Sequence, residues 1–239
     1  MKNRWRTEHE WRKLCGETNY ASIYQAPRWL ELIEAVYPRL KLHRLVCVDD
    51  SQEVVWLLPL VEIKPIGKLR PMLISLPFGN YGGFLYRNTP SSFSRELYQL
   101  PLNEFFNESK AFALEIREIV SPLQGFESGG DFVRFELVFP DTVEQMWKKT
   151  ITGNARTSVR KADKFGVQVS FGDGNQLDVF QELNERHAAY HGTPVHKRSW
   201  YPTLVDIFGK QAEIVVASVN GTPVGALLVL YHEKRAILH

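Results

Sequence analysis

The densest run of residues able to do chemistry lies between Lys148 and Lys164, where Lys148, Lys149, Arg156, Arg160, Lys161 and Lys164 stand against a single acid, Asp163. On a helix starting at Asn154, Arg156, Arg160 and Lys164 fall at i, i+4 and i+8 along one side, with Lys161 beside them, while Ala155, Val159 and Ala162 should face a core. Such a stripe makes a local field suited to phosphate groups, and an arginine can grip an anion through two parallel N–H donors. An ordinary solvated helix face has the same pattern, so spacing alone leaves both readings open.

A second stretch, Leu76-Pro77-Phe78-Gly79-Asn80-Tyr81-Gly82-Gly83, puts glycines beside Asn80 and Tyr81, two side chains that donate and accept hydrogen bonds. It could line a polar ligand pocket or simply make a tight strand exit. Its spacing is neither that of a dinucleotide fingerprint nor that of a P-loop.

A third stretch, His187-Ala-Ala-Tyr190-His191-Gly192-Thr193-Pro194-Val195-His196, gathers three histidines around a helix end that Gly192 and Pro194 should stop. His187 and His191 share a helix face, yet the glutamate of an HExxH motif is missing and no third ligand suggests itself, so no metal site is expected. His187 has the right side chain to deprotonate an attacking ammonium, and a packed or solvated histidine reads the same way. Cys15 and Cys47 have neither CxxC nor Cys/His spacing, which argues for two idle thiols. No GxSxG elbow or paired-carboxylate motif is legible.

Across the whole chain, 29 basic against 27 acidic residues argues against a DNA-coating protein, so any anion site must be local. A content of 44% hydrophobic and 12% aromatic residues is ample for a buried core. The charged start around Trp5 and Trp11 has no apolar stretch behind it to form a signal peptide, which predicts a cytoplasmic protein. The longest near-apolar run, Val54 to Val61, contains Pro59 and is far short of the ~20 residues that span a bilayer, so membrane contact is expected only at the periphery, at the inner face.

Periodicity predicts a helix with Leu30, Ile33 and Val36 inside and Pro38 as its stop. A hairpin of Leu42–Val48 and Val54–Ile63 follows, with a bulge or an edge at Pro59. Then come a strand over Met72–Leu76, a helix over Ser91–Phe106 and a strand over Ala111–Ile119. After a Gly- and Ser-containing connection, a strand is expected over Phe132–Val138, a helix from Pro140-Asp141, the basic helix from Asn154 and a strand over Val167–Phe171. A helix over Leu177–Tyr190, with Phe180, Leu183, His187 and Tyr190 on one face, precedes another marked by Trp200, Leu204, Ile207 and Phe208. The end repeats the hairpin theme: Ile214–Val219, an Asn220-Gly221 turn, Val224–Tyr231, and one further strand over Ala236–His239.

Five motifs in order, Tyr24-Gln-Ala-Pro-Arg-Trp29, Leu58-Pro59-Leu60, Pro77-Phe-Gly-Asn-Tyr-Gly-Gly83, Asn154-Ala-Arg-Thr-Ser-Val-Arg-Lys161 and Gly192-Thr-Pro194, resemble the FemAB-like branch of the GNAT acyltransferase superfamily, in particular its members associated with exosortase and exopolysaccharide systems. The resemblance implies an α/β (α+β) fold of tandem GNAT-like units, mixed sheets flanked by helices. The first would cover residues 1–135, and residues 136–239 would hold linking helices and the start of a second unit that stops roughly 60–100 residues short of a full copy.

It also implies aminoacyl or acyl transfer to an amine of a peptidoglycan precursor or other cell-envelope glycan. No tightly bound cofactor is expected; the donor would be aminoacyl-tRNA or acyl-CoA, and the acceptor a pyrophosphate-linked glycan or peptide. By resemblance Arg156, Arg160, Lys161 and Lys164 would lie near acceptor phosphates, and Asn80 and Tyr81 would line the acceptor cleft of the first unit. Two alternatives stay open: a CoA-dependent N-acyltransferase acting on a small amine, although no Gln/Arg-x-x-Gly-x-Gly/Ala loop is present in the first unit, and an inactive GNAT-like binding module.

Overall fold

The computed structural model describes residues 8–18, 21–67, 69–87, 98–118, 123–130, 133, 135–172 and 174–238. They form two compact units, and the division is not a single cut in the sequence. The first comprises Met1–Ser128, Lys197–Phe208 and Tyr231–Arg235; the second comprises Gly129–His196, Gly209–Leu230 and Ala236–His239.

In the first unit, helix α1 (Glu8–Glu17) buries Trp11, Leu14 and Cys15. After a single turn at Ile23–Gln25, α2 (Pro27–Val36) starts with a proline at the position where a missing N–H costs nothing. It buries Leu30, Ile33 and Val36 as the spacing predicts, and Trp29 and Leu32 as well. Strands β1 (Lys41–Val48) and β2 (Val54–Ile63) pair antiparallel. Their turn is closed by Asp49, whose carboxylate accepts from the Glu53 amide at 2.8 Å.

The register runs unbroken through Arg44 opposite Pro59, and the bulge sits at Cys47/Val48 instead. On the other edge of β2, Pro59 falls between two short partners, β3 (Met72–Ile74) alongside Val61–Ile63 and β4 (Leu85–Tyr86) alongside Trp56 and Leu57. A residue without an N–H therefore interrupts no ladder to a third strand. Helix α3 (Gln99–Ser109) holds Pro101 in its first turn, where the ring is tolerated. Residues 91–97 of the expected helix lie outside the described residues. Strand β5 (Ala113–Glu115) adds parallel to β3, giving the order β1-β2-β3-β5.

The expected strand over 111–119 is thus much shorter, because residues 116–118 leave the ladder to hold the glycine loop described below. One core of this unit joins Leu45, Trp56, Leu58, Leu60, Phe84, Tyr86, Tyr98 and Leu102. A second cluster is aromatic: α7 (Trp200–Phe208) places Trp200 against Trp29 at 5.7 Å and against Phe78 at 5.5 Å between ring centroids, and Phe78 stacks on Tyr37 at 4.9 Å.

In the second unit, α4 (Val143–Gln145) is capped by Thr142 and runs into a π-helical turn over Met146–Thr150. Helix α5 (Gly153–Lys164) is capped by Thr152, whose hydroxyl accepts from the Ala155 amide at 3.3 Å. Then come β6 (Val167–Gly172), α6 (Leu177–His191), β7 (Ala212–Val219), β8 (Thr222–His232) and β9 (Arg235–Leu238), with sheet order β6-β7-β8-β9. The β7–β8 turn has positive φ at both Asn220 and Gly221, the geometry that suits a two-residue hairpin. Ala212, Ile214, Val216, Leu228 and Leu230 make the buried side of this sheet.

Three expectations for this unit need correction. Phe132–Val138 forms no strand among its described residues; Phe135 is 94% exposed, since no strand there pairs with it. Helix α5 buries none of its residues, and Val159 is 46% exposed, because the helix packs chiefly on β6, the strand that follows it. Helix α6 is rolled from the expected face: Phe180, Gln181 and Ala188 are buried while Tyr190 is 86% exposed, the small Ala188 admitting a closer approach than Tyr190 would. Among the described residues no helix is long and apolar enough to cross a membrane.

Candidate functional site

The glycine loop is the most tightly specified polar feature of the first unit. A Cβ on Gly79 would stand 2.8 Å from Tyr24 Cγ, one on Gly82 would stand 2.5 Å from Leu76 Cβ, and one on Gly83 would stand 2.9 Å from Glu118 Cα. All three are approaches that real side chains do not make, so another residue at any of them forces its neighbour to shift. The conformation is then fixed by three polar side chains.

Gln25, buried on the turn before α2, donates from Nε2 to the Gly83 carbonyl at 3.0 Å. Glu118 accepts the Phe84 amide at 2.9 Å. Arg117 donates from one guanidinium nitrogen to the carbonyls of both Pro77 and Gly79, each at 3.2 Å, while its own carbonyl accepts the Gly82 amide at 3.1 Å.

Asn80 and Tyr81 sit at the crest of the loop, Asn80 exposed and Tyr81 half-buried with its ring 5.9 Å from that of Tyr24. Burial, and then the neighbouring Tyr81, push the Tyr24 phenol well above its ordinary pKa, so it remains protonated at neutral pH. The loop thus offers a phenol, a carboxamide and a rigid backbone, a set that can recognise a polar ligand but has no nucleophile.

The basic helix divides into two kinds of residue. Arg156 is half-buried and donates to the Trp147 carbonyl at 3.1 Å and to the Ile151 carbonyl, so it closes the π-helical turn onto α5. Lys148 pairs with Glu144. Arg160, Lys161 and Lys164 are exposed and have no ion-pair partner among the described residues. The stripe therefore offers three cations to solvent.

His187 is exposed, and its ring lies 4.5 Å from that of His191, whose other neighbour is Tyr190 at 5.0 Å. Among the described residues no carboxylate orients it in the way a paired base is usually held. A histidine–carboxylate contact does exist elsewhere: His43 Nε2 lies 3.0 Å from Glu62 Oε2, which Lys41 also approaches at 3.3 Å. Burial lowers the His43 pKa despite Glu62, and on Glu62 the raising effect of burial is outweighed by the His43 hydrogen bond and the Lys41 charge. The His43 ring packs edge-on against Phe105, which marks the pair as part of the wall between the hairpin and α3. Among the described residues no group of His, Cys, Asp or Glu is placed to hold a metal ion.

The sequence pattern singles out Asn80, Tyr81 and the three exposed cations as candidates; Gln25, Arg117 and Glu118, which hold the loop, do not stand out in it. The available signal was a charged triplet, Glu115, Arg117 and Glu118, at and just beyond the end of an apolar strand, where solvated residues would not be needed in such density.

Two α/β units, each a sheet built on an antiparallel hairpin with helices beside it, define a tandem acetyltransferase-like architecture. The chain belongs to the FemAB family, which matches residues 97–224. Seven chains among solved structures match it. One, described as the crystal structure of FemX, aligns at 17% identity with a TM-score of 0.61 over 90% of this chain. The chain spans 57% of the length of that structure, and at this identity the likeness is one of fold. No curated protein matches.

Proposed function

We propose that this chain carries the acceptor-recognising part of an aminoacyltransferase of the FemAB kind, which joins an amino acid to an amine of a peptidoglycan precursor. The observation that carries the reading is the rigid glycine loop with Asn80 and Tyr81 at its crest, in a chain of this family. Separately, Arg160, Lys161 and Lys164 supply the unpaired positive charge that a pyrophosphate-linked acceptor requires. Arg156 is left out of that set because it is half-buried and one of its guanidinium nitrogens is committed to the Trp147 and Ile151 carbonyls.

The donor in this reading is aminoacyl-tRNA. The neutral acceptor amine attacks the ester carbonyl carbon, a C–N bond forms as the C–O bond to the tRNA ribose oxygen breaks, and the proton the amine loses passes, through a base or water, to that leaving oxygen. Rate enhancement then comes from orientation and from stabilising the developing oxyanion, with no enzyme nucleophile. His187, exposed to solvent beside His191, is the proposed base.

The test is calorimetric binding of a pyrophosphate-linked muramoyl peptide to the chain and to a variant with Arg160, Lys161 and Lys164 changed to Ala. Binding that weakens with salt and falls at least about tenfold in the variant is expected. No binding to the unaltered chain, or equal binding to both, would overturn the reading and return the helix to a solvated face.

A further inference from the structure

We infer that Arg117 is the positioning residue of the glycine loop, setting the geometry in which Asn80 and Tyr81 meet a ligand. Its guanidinium holds the carbonyls of Pro77 and Gly79 at 3.2 Å, and its backbone carbonyl holds the Gly82 amide at 3.1 Å. One residue therefore grips the loop on both sides of Asn80-Tyr81, and those two are the residues left between the grips.

Arg117 is itself fixed from behind. Its Nε donates to Glu115 Oε1 at 2.9 Å, and its amide donates to the Ser75 hydroxyl at 2.8 Å. The planar guanidinium can serve a carboxylate and two carbonyls at once, whereas an ammonium on a flexible stem has no fixed fork with which to do so. The strand ladder ends at Glu115 and the Arg117 side chain is 35% exposed, so Arg117→Met, which keeps an aliphatic stem, leaves the ladder intact. The loop stays inside the fold through its glycines and Gln25; what Arg117 adds is a single conformation at the crest.

The ligand side of this inference rests on the proposed acceptor reading, so the test has two arms. In the first, amide hydrogen exchange is compared for the unaltered chain, Arg117→Lys and Arg117→Met. Exchange at Gly79 and Gly82, whose amides donate to the Leu76 and Arg117 carbonyls, should accelerate at least about tenfold in Arg117→Met and less in Arg117→Lys, while the β1–β2 amides keep their rates. In the second, affinity for a pyrophosphate-linked muramoyl peptide is measured in a double-mutant cycle of Arg117→Met with Asn80→Ala. Losses that fail to add are expected, since both changes remove the same contact.

Unchanged loop exchange in Arg117→Met overturns the inference, as does a loosened loop with additive losses. If the unaltered chain binds no acceptor, the acceptor reading falls by itself. The exchange rates then decide the positioning role: a loosened crest beside an unchanged hairpin sustains it, and an unchanged crest refutes it.

Discussion

The backbone of Gly82 lies so close to the side chain of Leu76 that an added Cβ would stand 2.5 Å from Leu76 Cβ. Leu76 is wholly buried and has a positive φ, so neither partner can yield cheaply. Gly82→Ala should therefore destabilise the chain by about 1–3 kcal/mol, as overpacked sites do. Gly16→Ala, where an added Cβ meets nothing within 4 Å in helix α1, should leave the melting temperature level or raise it. Thermal melts of the two variants check the contrast.

Acid should weaken the fold before alkali does. Burial holds His43, His196 and His232 below the ordinary histidine pKa, so the unfolded chain takes up protons that the folded chain refuses. Stability is then complete above about pH 6.5–7 and falls as pH drops through that value. Glu62, also lowered, adds a loss of the same sign further down the acid range. Melting temperatures from pH 7.5 to 5 should decline, and His43→Gln should flatten the first part of that decline.

The two thiols should differ sharply in reactivity. Cys15 is buried, donates to the Gln25 carbonyl at 3.4 Å, and has its pKa pushed up to about 12 by burial, which the Arg12 charge only partly offsets. Cys47 is half-buried and also raised, mainly by burial. An alkylating reagent at pH 8 should label Cys47 slowly in the folded chain and Cys15 only after unfolding. Above pH 9 the folded chain keeps the Cys15 proton that the unfolded chain releases, so stability should fall there as well.

Trp200 is fully buried among Trp29, Tyr37 and Phe78. Trp200→Ala should cost about 3–5 kcal/mol in urea unfolding, because it removes the helix α7 anchor from the aromatic cluster of the first unit.

Hairpins and helix spacing were legible because their signals are local. The β1–β2 strands, the Asn220-Gly221 turn and the inner face of α2 follow from alternation, positive-φ residues and helical period alone. The roll of α6 was not legible, since Ala188 and Tyr190 both fit an apolar stripe and only packing chooses the smaller. Phe132–Val138 has a strand's alternation, but a strand also needs a partner, which periodicity cannot supply. At the site, the crest residues Asn80 and Tyr81 stood out by composition. Arg117, forty residues away from Pro77, became visible only when the chain brought its guanidinium to the loop. Arg156 shows the opposite case, a residue on the expected stripe with one guanidinium nitrogen turned inward to carbonyls.

The most direct measurement is amide chemical-shift mapping of the isotopically labelled chain during titration with a pyrophosphate-linked muramoyl peptide. Saturable shifts at Gly79 to Gly83 are the predicted result. Saturable binding that leaves the glycine loop unperturbed, or no binding at all, would contradict acceptor recognition by this chain.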